Sequence, residues 1–342
     1  MSVLFRLSRP APRAGLARAL LVAAAALLSP LVSSALVAPA IAQADPAAGW
    51  PARNVRVLVP FAAGGPADLV AREIAQRLGD DLGHPFVIEN QGGAGGKLAV
   101  INVARAEPDG YTLLFPASGN VVSHPLAERD MSTVEQLVPI GLVSNSAHVL
   151  VINPALPIRT MADLVAYAKA NPGTLHFGSA GTGAVAHLGM EMLKLTAGID
   201  IVHVPYRGTS QAVIDVMSGQ IQATFSSMPS LKGMIDQGTL RALGMTAKSR
   251  AESGLPLISD TVPEFGYTTW YGLFAPKGTP PGIVAKISAS LKKAVADKAL
   301  QEKLAVQGMD LDWSTPAELE ALMKKDIAKW SKVIEAANVR LK

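Results

Sequence analysis

The stretch Val55–Leu69, VRVLVPFAAGGPADL, constrains this chain more than any other. Val55 to Phe61 is apolar apart from Arg56, the make-up of a parallel strand buried on both faces. Gly64 and Gly65 end the run, and a helical pattern starts at Pro66 and continues to Leu78. Pro66 suits the first helical turn, where its missing N–H had no partner to lose, and Asp68 falls where an acid complements the dipole. Strand, glycine turn and helix start gather free backbone N–H groups and a positive dipole end at one spot. With no lysine or arginine in the turn, this is a seat for a small anion such as a carboxylate, and points to binding rather than chemistry.

The first 44 residues are read separately. Met1–Arg18 carries Arg6, Arg9, Arg13 and Arg18 and no acid; Ala19–Ala42 is almost wholly apolar and ends in small residues. Cleavage after Ala42 or after Ala44 fits, so residues 1–44 have the grammar of a secretory signal peptide. The rival is an uncleaved anchor, since about 20 apolar residues span a bilayer. Ser29-Pro30, Ser33-Ser34 and Pro39 interrupt the run and favour the signal. No Arg-Arg pair marks a twin-arginine route.

Removing that segment changes the charge argument. The chain holds 31 basic and 27 acidic residues, and the leader takes four arginines, which leaves the remainder balanced. The electrostatic footprint of nucleic-acid binding is therefore missing, as is a basic membrane-facing surface. There are no cysteines, hence no disulfide framework and no thiol nucleophile. The roughly 300 remaining residues can bury an ample core as one large or two medium domains.

Strand and helix alternate along the rest. Strands are expected at Val55–Phe61, Phe86–Glu89, Thr112–Phe115, Ile140–Leu142 and Val149–Ile152, with helices at Pro66–Leu78 and Leu98–Ala106. Thr160 and Asp163 cap a helix that Asn171-Pro172-Gly173 stops. The second half repeats the theme through Leu175–Gly178, Ala184–Leu195, Ile201–Val204, Gln211–Ser218, Ile221–Phe225, Leu231–Gln237 and Ala242–Thr246. Trp270–Ala275 is an apolar crossing strand. One long helix is expected over Pro281–Gln307, and a second from the capping box Thr315-Pro316-Ala317-Glu318 to about Ala337. Alternation of this kind predicts an α/β architecture with mainly parallel sheets.

Several apparent motifs fail. Gly92–Lys97 resembles a P-loop, but Gln91 stands where the leading glycine belongs and Leu98 where the magnesium-binding hydroxyl belongs. Gly181-Thr182-Gly183-Ala184-Val185-Ala186 matches a loose dinucleotide fingerprint, yet Asp200 precedes the next strand, whereas the ribose-binding acid belongs at its far end. There is no G-x-S-x-G, no H-E-x-x-H and no closely spaced histidine pair. His84, His124, His148, His176, His187 and His203 are scattered, so no metal or other cofactor is expected. A distant Ser-His-Asp triad stays open, because triads are recognised by geometry.

The residues Val59–Asp68, Glu89-Asn90 with Gly93–Gly96, and Pro108–Leu114 resemble the extracytoplasmic solute receptors of the tripartite tricarboxylate transporter family, the Bug receptors. Ser179-Ala180-Gly181-x-Gly183 with His187-Leu188 is similar too, as are His203–Tyr206 with Gly208, and Pro276-x-Gly278-Thr279-Pro280. The ordered set spans essentially the whole mature chain.

The resemblance implies a type II periplasmic-binding-protein fold, two α/β domains with a ligand cleft between them. Domain 1 would comprise residues 45–147 and 277–342, and domain 2 residues 148–276. A ligand carboxylate would be held by backbone amides of two glycine loops, often through water. Phe61, Gly64, Gly65 and Asp68 lie on the first loop and Ala180, Gly181, Gly183, Ala184 and His187 on the second. Asn90 and Ser118 would line the first domain, Tyr206 and the Phe225–Met228 turn with Ser226 the second. Plainer roles stand beside these: tight turns for Gly64 and Gly65, a first-turn stabiliser for Asp68, packing for His187 and Tyr206, a loop hydrogen bond for Asn90.

Departures from the family pattern bear on specificity. Ala184 replaces a usual threonine or serine, and Ser226-Ser227 replaces a frequent Asp-Asn, which removes an acid from the cleft wall. This favours a simple or aromatic carboxylate over a zwitterionic amino acid. The expectation is a non-catalytic monomeric receptor in the periplasm that hands a small carboxylate to tripartite-transporter membrane subunits or a sensor. The alternative is an exported hydrolase acting on carboxylate esters.

Overall fold

The computed structural model describes residues 47–250 and 254–341. The signal peptide expected over residues 1–44, with its two expected cleavage points, lies outside the described residues. Among the described residues, no helix is long and apolar enough to cross a membrane.

The first half runs β1 (Val55–Val59), α1 (Pro66–Leu82), β2 (Phe86–Asn90), α2 (Lys97–Ala104), β3 (Thr112–Leu114), α3 (His124–Glu128) and β4 (Leu137–Ser146). Then follow β5 (His148–Ile152), α4 (Met161–Ala170), β6 (His176–Ser179), α5 (Val185–Ala197), β7 (Val202–Pro205), α6 (Thr209–Ser218), β8 (Ala223–Ser227), α7 (Met228–Asp236) and β9 (Arg241–Met245). The chain closes with β10 (Thr269–Pro276), α8 (Pro281–Val295), α9 (Lys298–Ala305), β11 (Asp310–Leu311) and α10 (Pro316–Ala336).

These strands build two sheets: six strands in the order β11-β4-β10-β3-β1-β2, and five in the order β7-β6-β8-β5-β9. Each sheet is mixed rather than mainly parallel. β1 pairs parallel with β2 and β3, and β6 with β7 and β8. β10 runs antiparallel to β3 and β4, as β5 does to β8 and β9. The strand–helix–strand units give the parallel half, because a crossover helix returns the chain in the same direction. β4, β5 and β10 carry the chain between the sheets; β5 and β10 enter theirs reversed, whereas β4 keeps the direction of β1–β3. β10 hydrogen-bonds into the first sheet along most of its length, paired from Thr269–Ser146 to Pro276–Leu137.

The core follows the sheet faces. α1 and α8 cover one face of the first sheet with Ile74, Leu78, Ile283, Ile287 and Leu291. A second apolar cluster joins the lobes: Leu58, Val100, Leu114 and Phe274 are continuous with Leu150, Leu188, Leu193 and Phe225 through Trp330 and Val333 of α10. The Trp270 indole N–H donates to the buried Asp326 carboxylate at 2.8 Å, tying β10 to α10. At the helix starts, Pro66 opens α1, and Thr160 and Thr315 form complete capping boxes with Asp163 and Glu318.

Two stretches differ from expectation. The helix expected over Pro281–Gln307 is two helices, because the Asp297 carboxylate accepts from Leu300 N–H and caps α9 afresh. Between β3 and β4, a π-helical turn, Gly119–Ser123, leads into α3. Its Asn120 accepts from Ala117 N–H and donates to the Gly95 carbonyl. This explains the glycine run at Gly92–Gly96 without any phosphate. Gly96 has φ +87°, and a Cβ there would lie 2.5 Å from Asn120 Nδ2.

Candidate functional site

Between the two sheets lies a cavity of about 380 Å³. Pro66, Ser146 and Tyr271 line it from the first sheet's side, and His148, Thr209 and Ser226 from the second's. None of its lining residues is a lysine, arginine, aspartate or glutamate. Burial pushes His148 down to about 4, so its imidazole is neutral near pH 7. Four helices start here. Pro66 opens α1, Ala186 lies in the first turn of α5, Thr209 opens α6 and Ser227 precedes α7. First-turn N–H groups have no intrahelical acceptor, and each start carries about half a positive charge. The cavity is therefore electropositive with no cation in it.

A larger hollow, about 530 Å³, lies between α7 and α9. Its wall includes Lys232, Asp236, Arg250 and Glu302, and Lys232 and Asp236 already pair with each other. The smaller cavity is the better ligand site, because it stands at strand ends and several helix starts open onto it.

The first loop is held from behind. Asp68, 2 % exposed, accepts from Gly64 N–H (2.9 Å), Arg72 Nε (2.9 Å) and Asn90 Nδ2 (2.8 Å). Asn90 also donates to the Phe61 carbonyl at 3.2 Å and accepts from Arg72. Burial alone would raise the Asp68 carboxyl, but these hydrogen bonds outweigh it and hold it below the usual carboxylate range. Asp68 and Asn90 thus position the loop. Phe61 packs edge-on to Tyr271, with ring centroids 6.5 Å apart.

The second loop is held by two histidines. Gly183 N–H donates to His187 Nδ1 at 3.0 Å, and Ser179 Oγ lies 2.7 Å from His203 Nε2. Gly181 N–H donates to Ser179 Oγ, and Ala184 N–H to the Gly181 carbonyl. Burial, then the neighbouring His203 and Lys194, pushes His187 down to about 3; burial first and Lys194 next take His203 to about 4. The Ser179–His203 contact has dyad geometry, but Ser179 is fully buried and no carboxylate contacts His203 among the described residues. Among the described residues, no group of three or more His, Asp or Glu could hold a metal ion.

Of the residues singled out from sequence, Ser226 lines the cavity itself. Gly65 and Ala184 stand immediately before α1 and α5, whose Pro66 and Ala186 line it. Gly64, Gly181, Gly183 and Ala184 donate their N–H groups internally. Ala180 is exposed and Ser118 buried beside the π-helical turn. Tyr206 donates to Asp215 Oδ2 at 2.6 Å; burial and that carboxylate push its hydroxyl up to about 12. Sequence reasoning missed Ser146, His148, Tyr271 and the α6 start at Thr209. Gly208-Thr209-Ser210, a glycine followed by two hydroxyls before an apolar helix, was the available signal for the last.

Two α/β lobes around an uncharged cleft fed by helix starts define a bilobal solute-binding protein. The family described as "Tripartite tricarboxylate transporter family receptor" matches residues 70–339, and the chain belongs to it. It is similar to BugT of Bordetella pertussis, 34 % identical over 299 residues, covering 86 % of this chain and 92 % of that one. The periplasmic binding protein BugD is 32 % identical with a TM-score of 0.71, over 86 % of this chain and 100 % of that one. An R. palustris protein solved with adipate is 31 % identical with a TM-score of 0.74, over 85 % and 99 % of the two chains.

Proposed function

We propose that this protein captures a small carboxylate in the cleft between its lobes and releases it to the membrane subunits of a tripartite transporter. The observation that carries this is the convergence of four helix starts, from both lobes, on a cavity without a charged side chain. The carboxylate is held by backbone N–H groups at the ends of the loops Phe61–Asp68 and Ser179–His187, joined by those at Thr209. Because Gly64, Gly181, Gly183 and Ala184 donate inward, the ligand's share falls to the first-turn groups beyond them. The lobes correspond to residues 45–147 with 277–342 and to 148–276, β10 lending its strand to the first sheet. The leader 1–44 directs the protein to the periplasm, where it acts as a monomer and without catalysis. The related structure solved with adipate supports a carboxylate ligand.

Calorimetry of the mature protein with adipate, malate, benzoate and their amides tests this. Binding of an acid without binding of its amide is expected; equal binding of both would overturn it. The hydrolase alternative has the 2.7 Å Ser179–His203 contact in its favour. Turnover of a carboxylate ester that Ser179→Ala abolishes would establish that alternative instead.

A further inference from the structure

One glycine lets elements of the two sheets approach more closely than any side chain would allow. Gly308 is buried in the turn that joins α9 to β11, the edge strand of the first sheet. Pro229 stands in the first turn of α7, which follows β8 of the second sheet. A Cβ on Gly308 would lie 2.8 Å from Pro229 Cδ and 3.1 Å from its Cγ, inside van der Waals contact. The ring is bonded back to the α7 backbone, so it cannot swing aside, and only the helix turn as a whole can yield. Among the described residues, Gly96, Gly110, Gly141, Gly178 and Gly189 are approached as tightly, but by groups of their own sheet's elements. The plainer role of Gly308 is to stop α9. Its N–H donates to the Ala305 carbonyl and Met309 N–H to the Leu304 carbonyl, the paired bonds of a Schellman cap, with φ +69° at the glycine. A helix stop accepts asparagine, which tolerates that φ, and asks nothing of the space beyond the α-carbon. The bare α-carbon against Pro229 is a second requirement. Gln307 and Met309, on either side of Gly308, line the cleft, as do Ser230 and Met234 of α7. Ala305, Val306 and Pro229 itself line the hollow behind, so the contact stands between the two cavities.

We propose, on the capture reading above, that Gly308 is the stop that sets how closely the two lobes approach across the cleft, and so a positioning residue for ligand capture. Asp310 accepts from Arg250 N–H, which draws the stretch after Gly308 toward the loop that follows β9. Pro229 meeting the bare α-carbon of Gly308 fixes where that approach ends. Any Cβ there holds Ser230 and Met234 of α7 away from Gln307 and Met309, and widens the cleft without changing a residue that lines it. Groups aimed at one ligand from two sides lose their joint geometry as the gap between them grows, and a displacement on the order of 1 Å weakens the grip steeply.

The test compares Gly308→Ala and Gly308→Asn in the mature protein, each alone and in a Pro229→Ala background that deletes Cγ and Cδ of the ring. The chain has no cysteine, so spin labels on Gln237→Cys at the end of α7 and Lys298→Cys at the start of α9 report the gap directly. Both Gly308 variants are expected to shift the label-to-label distance outward and to weaken adipate binding by about three- to tenfold, chiefly through faster release. Removing the ring should cancel both effects: in the Pro229→Ala background the same substitutions are expected to leave the distance unaltered and change affinity by less than about twofold. A glycine that serves only as a helix stop gives a different pattern, in which asparagine is harmless, alanine lowers the melting temperature and Pro229→Ala rescues nothing. That pattern, or an unmoved label distance in both variants, would overturn the proposal. A parent protein that binds no acid would count against the carboxylate reading alone, and the label distances would still decide the role of Gly308.

Discussion

The imidazoles of His187 and His203 stack with ring centroids 3.8 Å apart and 19° between their planes. Each holds one end of the loop between β6 and α5, His187 through Gly183 N–H and His203 through Ser179 Oγ. His187 Nδ1 accepts a hydrogen bond, so a proton placed there would break it, and a second charge 3.8 Å away would repel the first.

Stability is therefore expected to fall with acid. His148, His187 and His203 have folded-state values of about 4, about 3 and about 4, below the 6.5 of a free histidine. Between those values the unfolded chain binds more protons, so stability rises with pH and is lost as pH falls from 6.5 toward 4. Each histidine adds a slope of at most about 1.4 kcal/mol per pH unit in that window. Urea unfolding at about pH 7.5, 5.5 and 4.5 measures it, and His187→Gln should flatten the curve; an unchanged slope in that variant refutes the account.

Asp68→Ala removes the acceptor shared by Gly64, Arg72 and Asn90. A loss of about 1–3 kcal/mol in stability is expected, with ligand affinity falling through disorder of the first loop. Chemical denaturation and calorimetry measure the two effects. Full stability with weakened binding would make Asp68 a ligand contact rather than a support.

Two glycines should respond oppositely. Gly96→Ala puts a Cβ 2.5 Å from Asn120 Nδ2 and 2.8 Å from Pro60 Cβ at φ +87°, a cost of about 2–4 kcal/mol. Gly233 is exposed in α7, and a methyl on its Cα would meet nothing within 4 Å, so its change to alanine should gain about 0.5–1 kcal/mol. Thermal melts of the pair decide the matter, and a stabilising Gly96→Ala is the outcome that contradicts it.

Arg250 ties the lobes together outside the cleft. Its N–H donates to both Asp310 carboxylate oxygens, at 3.0 and 3.1 Å, and its guanidinium to Gln301 Oε1 at 2.8 Å. Asp310→Ala is expected to raise the radius of gyration of the ligand-free protein and weaken ligand binding by about two- to tenfold. Small-angle scattering that superimposes on the parent, with equal affinity, would mean that the tie has no part in closure.

The fold was legible where local chemistry and packing agree. The Val55–Gly65–Pro66 junction and the caps at Thr160 and Thr315 all appear where the sequence puts them. Strand direction was not legible, since β5 and β10 owe theirs to crossing between sheets and not to their own residues. The site was half legible for the same reason. Helix starts announce themselves locally, whereas Ser146 and Tyr271 meet the cavity only because two strands distant in sequence pair. The Asp68–Arg72–Asn90 network shows the converse: an acid placed by helix chemistry turns out to brace a loop two strands wide.

The second sheet comes from one unbroken run, 148–245, whereas the first needs residues 55–146 together with 269–311. A chain that emerges N-terminus first therefore completes its second lobe before its first. β1, β2 and β3 must wait for β10 to be made before their sheet can join β4, and for α10 before its far face is covered. The lobe that begins the sequence is the last to be completed, and the Phe61 ring of its glycine loop meets Tyr271 only once β10 has been made.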